Sequence, residues 1–190
     1  MVTTNKNKFL TMKRDFKKYS IDLEHISLSL PEIQSYNVDE IIGGKLSAAY
    51  KHVKKPCIVH DSGFFIPSLN GFPGALVHPI LDKIDIDGIL KLVDGKNREC
   101  YFYESIGYLD GIMKNPIFFS IKIKGSISEK PMGTKDKHHW SRLYEIFIPD
   151  KYNKTLAEMK KEKYIKWHDS YEINSYSARF AQWYKNRENL

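Results

Sequence analysis

Apolar positions along the chain follow two alternating spacings. Phe9, Met12 and Phe16 recur at helical spacing and predict a helix from about Lys8 to Tyr19; Ile42, Leu46 and Ala49 predict a second, from Asp39 to His52. A strand ending near Val2-Thr3 precedes the first helix, and an alternating strand from Glu24 to Leu30 follows it, so the chain opens as β-α-β-α. The apolar run Cys57-Ile58-Val59 reads as a buried strand leading into His60-Asp61-Ser62-Gly63, which places an acid at a strand's carboxyl end, where α/β sheets gather ligands. Then come a turn over Leu69-Asn70-Gly71-Phe72-Pro73-Gly74 and a helix from Ile86 to Leu92, ended by Asp94-Gly95. Two long strands, Cys100 to Tyr108 and Ile117 to Ile127, are joined at Leu109-Asp110-Gly111, and the second alternates as an antiparallel strand with one wet face does. A strand from Leu143 to Ile148, a possible capping box between Thr155 and Glu158, and a terminal amphipathic helix from Ser170 to Asn189 complete the pattern. Alternating α/β units followed by long hairpins indicate a mixed, elongated α/β fold. Phe102, Phe118, Phe119 and Phe180 are its core candidates.

Composition narrows this picture. The 190 residues, 42% of them hydrophobic and without repeats or low-complexity linkers, are expected to form a single domain over 1–190. A charge of +7 with 13% aromatics is too apolar for a disordered chain and attracts polyanions of any kind. The lysine pairs sit in amphipathic segments and read as solvated faces, and no nucleic-acid signature appears, so a nucleic-acid partner is not expected. Apolar runs such as Pro116-Ile117-Phe118-Phe119 are too short for a membrane helix, and MVTTNKNKFL has no apolar leader core, so a cytoplasmic protein is expected. Cys57 and Cys100 lie in apolar strand-like runs and provide neither a disulfide framework nor a zinc site; the adjacent His138-His139 lack a third ligand.

The chemistry-bearing residues occur in ordered blocks. Thr3-Thr4-Asn5-Lys6-Asn7-Lys8 stands at a helix start, where free N–H groups and the positive dipole end favour phosphate. Leu30-Pro31-Glu32-Ile33-Gln34, Asp61-Ser62-Gly63, the Leu69–Gly74 turn, Gly88-Ile89-Leu90-Lys91-Leu92 with Tyr101-Phe102, Phe147-Ile148-Pro149-Asp150, and Lys154-Thr155-Leu156-Ala157-Glu158-Met159 with Glu162-Lys163 follow in order. Each is weak alone; together, over most of the chain, they resemble the inosine triphosphate pyrophosphatase (Ham1-like) family, which hydrolyses non-canonical purine triphosphates to the monophosphate and pyrophosphate. The resemblance implies an ITPase-like fold whose two lobes flank a nucleotide cleft, and a homodimer. It implies that Thr3, Asn5, Lys8, Ser62, Gly63, Lys163 and His168 bind nucleotide. It further implies that Glu32 and Asp61 hold Mg²⁺, and that Asp61 and Lys8 serve catalysis, with Asp61 orienting the attacking water. A triphosphate carries about four negative charges, which explains cations, N–H donors and carboxylate-held Mg²⁺ in one place. Gly71, Pro73 and Gly74 are explained by the turn alone, and Glu158 serves equally as cap or site residue.

The chain departs from the family at four places. His60 replaces the first of two acids before Ser-Gly; Gly43-Gly44 replaces an acid or amide; Ser141-Arg142-Leu143-Tyr144-Glu145-Ile146-Phe147 keeps only the last residue of the base-pocket loop; and Trp167-His168-Asp169 carries an acid where an arginine is usual. Tyr144, Trp140 and Trp167 serve equally as purine-stacking faces or as core or lid residues. With the phosphate-side residues retained, the lead expectation is an ITPase-like protein that binds dITP or ITP with weakened or lost hydrolysis, a sensing subunit for a separate effector, for example in antiphage defence. The alternative is an active Mg²⁺-dependent nucleoside triphosphate pyrophosphatase that cleans the nucleotide pool.

Overall fold

The computed structural model describes residues 1–134, 141–172 and 175–188, so positions 138–140 and 189 lie outside the described residues, as do the expectations placed on His138, His139, Trp140 and Asn189. The elements are α1 (Lys6–Lys17), α2 (Val38–Val53), β1 (Cys57–Phe65), β2 (Pro73–Gly74), α3 (Val77–Leu92), β3 (Glu99–Leu109), β4 (Ile117–Ile127), β5 (Phe147–Pro149), α4 (Lys161–Glu172) and α5 (Tyr176–Glu188). One sheet runs in the order β2-β1-β3-β4-β5. β2 lies antiparallel to β1 through Phe64 opposite Gly74, and β5 lies antiparallel to β4 through Ile127 opposite Phe147. The α/β class expected from the pattern is the class observed. Among the described residues no helix is long and apolar enough to cross a membrane.

The chain forms two compact units, and β1, β3 and β4 contribute residues to both: Met1–Asp61, Glu104–Ile121 and Ser170–Leu190 form the first, Ser62–Tyr103 and Lys122–Asp169 the second. The first unit is built on the helical stripe of α1. Phe9, Met12 and Phe16 are buried against Ile58 of β1, Ile106 and Tyr108 of β3, and Phe180 of α5. The rings of Phe16 and Phe180 stack 5.2 Å apart. Each such side chain removed from water contributes roughly 1.5–3 kcal/mol, which fixes α1 and α5 on the sheet. In the second unit Phe102 lies 4.9 Å from Phe64 and 4.8 Å from Phe147. Phe102 and Phe180 are core as expected, Phe119 is half-buried, and Phe118 is 36% exposed and not core.

Several elements differ from the pattern-based expectation, each for a local reason. α1 begins at Lys6 because Asn5 caps it, its Oδ1 accepting from the N–H groups of Asn7 and Lys8. The expected strand over Glu24–Leu30 reduces to one parallel bridge between Val2 and Ile26. Partial burial still alternates there, but Pro31 ends the segment before a ladder can extend. β1 does not stop at Val59; it continues to Phe65 because Phe64 and Phe65 pair with β2, so Asp61 is mid-strand and not at a carboxyl end. α3 starts at Val77 and kinks at Asp85 (φ 51°), whose Oδ1 accepts from Ile86 N–H at 2.8 Å and so restarts the helix where the sequence placed its beginning. The segment from Arg142 to Glu145 is a 3-10 turn, leaving three residues for β5. Thr155 and Glu158 do pair, Thr155 N–H donating to Glu158 Oε2 at 2.9 Å, but over the single 3-10 turn Leu156–Glu158. The expected C-terminal helix is two helices; Ser175 Oγ accepts from Ala178 N–H and starts the second.

Candidate functional site

The first unit brings five of the predicted residues to one corner. Asn5 stands in extended conformation ahead of α1, and its cap orients the first N–H groups of a helix with no acid in its first turn. Thr3 supports this entry, its Oγ1 accepting from Asn5 N–H at 3.1 Å. Lys8, in that first turn, reaches Asp61: its Nζ lies 3.8 Å from Oδ1. Glu32 lies on the loop before α2, its side chain 65% exposed, and not at a strand exit.

A sixth residue, absent from the sequence-based set, joins them. Lys45 Nζ lies 2.5 Å from Asp61 Oδ2 and 2.5 Å from Glu32 Oε1. Burial opposes its charge, but Asp61 and then Glu32 outweigh that and hold its pKa above the ordinary lysine range. Its signal was present in the sequence. Lys45 lies on the same stripe as Ile41, Ile42, Leu46 and Ala49, all buried, and a lysine on an apolar stripe has to be paired.

The corner's donor set is hard oxygen from two carboxylates, which suits Mg²⁺ held largely by substrate phosphates. Lys45 stands between those two carboxylates, and among the described residues no group of three or more His, Cys, Asp or Glu is arranged to hold a metal ion. The residues therefore fit a cation that arrives with a polyanionic ligand better than a resident ion held by protein alone.

His60 is adjacent in sequence but lies on the other face of β1 by strand alternation, its side chain fully buried. Its Nε2 is 4.0 Å from Glu104 Oε2, and its ring centroid is 5.4 Å from that of Tyr176. Burial, helped by Lys8 and Lys45 and opposed by Asp61, pushes its pKa well below the usual histidine value, so it is neutral. Burial likewise raises the Glu104 carboxyl to about 7, against lowering by Tyr176 and Lys8. An acid at position 60 would share this buried face with Glu104, so the departure there bears less on the Asp61 corner than the sequence suggested.

The other predicted residues belong to the second unit. Gly63 has a packing reason of its own: a Cβ there would stand 2.6 Å from the Phe65 ring and 2.9 Å from the Gly74 carbonyl. Ser62 is half-buried on β1. Lys163, near the start of α4, holds its Nζ 5.6 Å over the Tyr152 ring. His168 is buried, its ring centroid 6.4 Å from those of Tyr164 and Trp167. Trp167 and Tyr144 are themselves buried.

A Ham1 family profile matches residues 1–169. The dITP/XTP pyrophosphatase of Methanopyrus kandleri is 36% identical over 97% of this chain and 94% of its own length. The protein of the same name from Saccharolobus solfataricus is 35% identical over 99% and 95%. Among solved structures, a HAM1 protein from Coxiella burnetii superposes with a TM-score of 0.73 at 19% identity, covering 99% of this chain and 97% of that one. The Staphylococcus aureus Ham1 protein gives 0.72 at 23%, covering 98% of each. A capped helix N-terminus with a lysine and two carboxylates bridged by a second lysine thus sit within a sheet and helix arrangement shared with these proteins, and the chain belongs to the Ham1 family.

Proposed function

We propose that the protein is a nucleoside triphosphate pyrophosphatase acting on non-canonical purine triphosphates such as dITP and XTP. The observation that carries this reading is the corner of Lys8, Lys45, Asp61 and Glu32, in a chain whose relatives of about 35% identity over nearly their full length bear the name dITP/XTP pyrophosphatase. In the reaction a water oxygen attacks the α-phosphorus, the bond to the bridging oxygen of the β-phosphate breaks, and pyrophosphate leaves. Lys8 and the amides at the start of α1 bind phosphate oxygens where the helix dipole favours negative charge. Asp61 orients the water and accepts its proton, while Lys45 holds the Asp61 and Glu32 carboxylates in place and offsets negative charge developing on the phosphorus oxygens. Glu32 and Asp61 are the residues that would hold Mg²⁺, which neutralises phosphate charge when bound. For Lys163 and His168 a nucleotide-binding role rests on the family resemblance alone.

The second reading, binding with weakened hydrolysis in a sensing subunit, is favoured by Gly43-Gly44, where α2 offers no polar side chain and is bordered by Ile33 and Phe118. One assay separates the two. Purified protein with Mg²⁺ and a panel of triphosphates is expected to release pyrophosphate from dITP and XTP faster than from dATP and dGTP. Thermal stabilisation by dITP without pyrophosphate release overturns the enzymatic reading in favour of the second. Absence of both overturns each.

A further inference from the structure

A buried polar cluster lies behind the phosphate corner, inside the first unit. Glu104 projects from β3, which neighbours β1 in the sheet. It meets His60 of β1 at 4.0 Å and accepts a hydrogen bond from the hydroxyl of Tyr176, in the first turn of α5. α1 faces it with Lys8 and the buried Asp15. Glu104 and His60 are buried, and Tyr176 belongs to an apolar cluster with Phe9, Met12, Ile58, Ile106 and Phe180, whose side chains supply no hydrogen bonds. A carboxylate in such a place is stable only while nearby charge and donors compensate its lost hydration. His60 is neutral and Asp15 repels, so the compensation comes from Tyr176 and from Lys8. Lys8 is also one of the two lysines at the corner, 3.8 Å from Asp61. A triphosphate at the corner neutralises Lys8 and adds its own negative charge, which removes one of the two supports of the Glu104 carboxylate.

We propose that Glu104 is a positioning residue of the phosphate corner that takes up a proton as the triphosphate binds, so that an uncharged carboxyl group holds His60 and Tyr176 behind Asp61 in the ligand-bound protein. The inference rests on the phosphate-binding reading of the corner given above. The step is a balanced proton transfer from solvent to Glu104 Oε, with no other bond made or broken. Nucleotide affinity then falls as pH rises above neutrality, because the proton must be supplied against its lower activity.

The test is isothermal titration calorimetry of the full chain at pH 7.5 with the α,β-methylene analogue of dITP, repeated in buffers of different ionisation enthalpy. Wild type is expected to take up about half a proton more than Glu104→Gln, while the variant still binds. Taking the difference between the two proteins cancels any proton the ligand itself releases. Should Glu104→Gln fail to fold, Tyr176→Phe replaces it. Without the hydroxyl that favours the ionised form, Glu104 is already protonated in the free protein, and the uptake is expected to shrink. Equal uptake in wild type and variant, with binding intact, overturns the proposal and leaves the phosphate site standing. Absence of binding heat in wild type overturns the phosphate site and this proposal with it.

Discussion

At the scale of single residues, the corner works because its opposite charges are shared and not paired off one to one. Lys45 touches two carboxylates, and Asp61 is reached by two lysines. Replacing Lys45 by Met leaves both carboxylates near the incoming phosphates without their shared cation. Pyrophosphate release from dITP is expected to fall by about 10²–10³-fold, the usual cost of removing a preorganised charged group. Stability is expected to change by only ~1 kcal/mol, because Lys8 still faces Asp61 and Glu32 is open to solvent. A drop in melting temperature large enough to account for the lost activity would mean that Lys45 holds the fold and not the reaction. This residue was visible in the sequence as a lysine on an apolar helical stripe, yet no local motif drew attention to it. Its partners are 13 and 16 positions away, and only the fold brings them within hydrogen-bond distance.

At the scale of elements, the start of α1 is a capped helix end and, under the proposed function, a phosphate site, and one substitution pair separates the two. Asn5 Oδ1 accepts from the N–H groups of Asn7 and Lys8 at 3.0 and 3.1 Å, which commits its oxygen to the helix and leaves its amide N–H₂ as the group that can meet phosphate. Asn5→Ala is expected to cost about 1 kcal/mol in thermal unfolding and to weaken nucleotide binding. Asn5→Ser keeps a capping oxygen but has no amide, so it is expected to restore stability and not affinity. Full recovery of both by serine would reduce Asn5 to a cap. The same elements show where periodicity reads well. Phe9, Met12 and Phe16 located α1, and Ile42, Leu46 and Ala49 located α2, because an amphipathic helix needs only its own stripe. Elements that depend on a partner read poorly. Leu143 to Ile148 alternates like a strand, but only Phe147 to Pro149 finds β4 to pair with. β1 extends past Val59 because β2 is there to receive it.

For the molecule as a whole, the buried Glu104 makes stability depend on pH. Its folded pKa of about 7 lies above the ordinary glutamate value, so between those limits the folded state binds more protons than the unfolded one. Its favourable contribution is complete below the unfolded value and is lost as pH rises through about 7. Relative to wild type, Glu104→Gln is therefore expected to gain stability on going from pH 5 to pH 8, by a few kcal/mol at most, in melting curves recorded across that range. A difference that stays flat with pH would place the carboxyl outside the buried cluster. By itself the sequence determined the α/β class, the two N-terminal helices and the family resemblance, since each is written in short spacings or contiguous motifs. The weight of the departures was decided only in three dimensions. His60 stands beside Asp61 in the chain, but a strand sends neighbouring side chains to opposite faces, so His60 meets Glu104 and Tyr176 while Asp61 meets Lys8 and Lys45. Which charges share a face, and which are buried away from water, follows from packing between distant segments, and no local pattern encodes it.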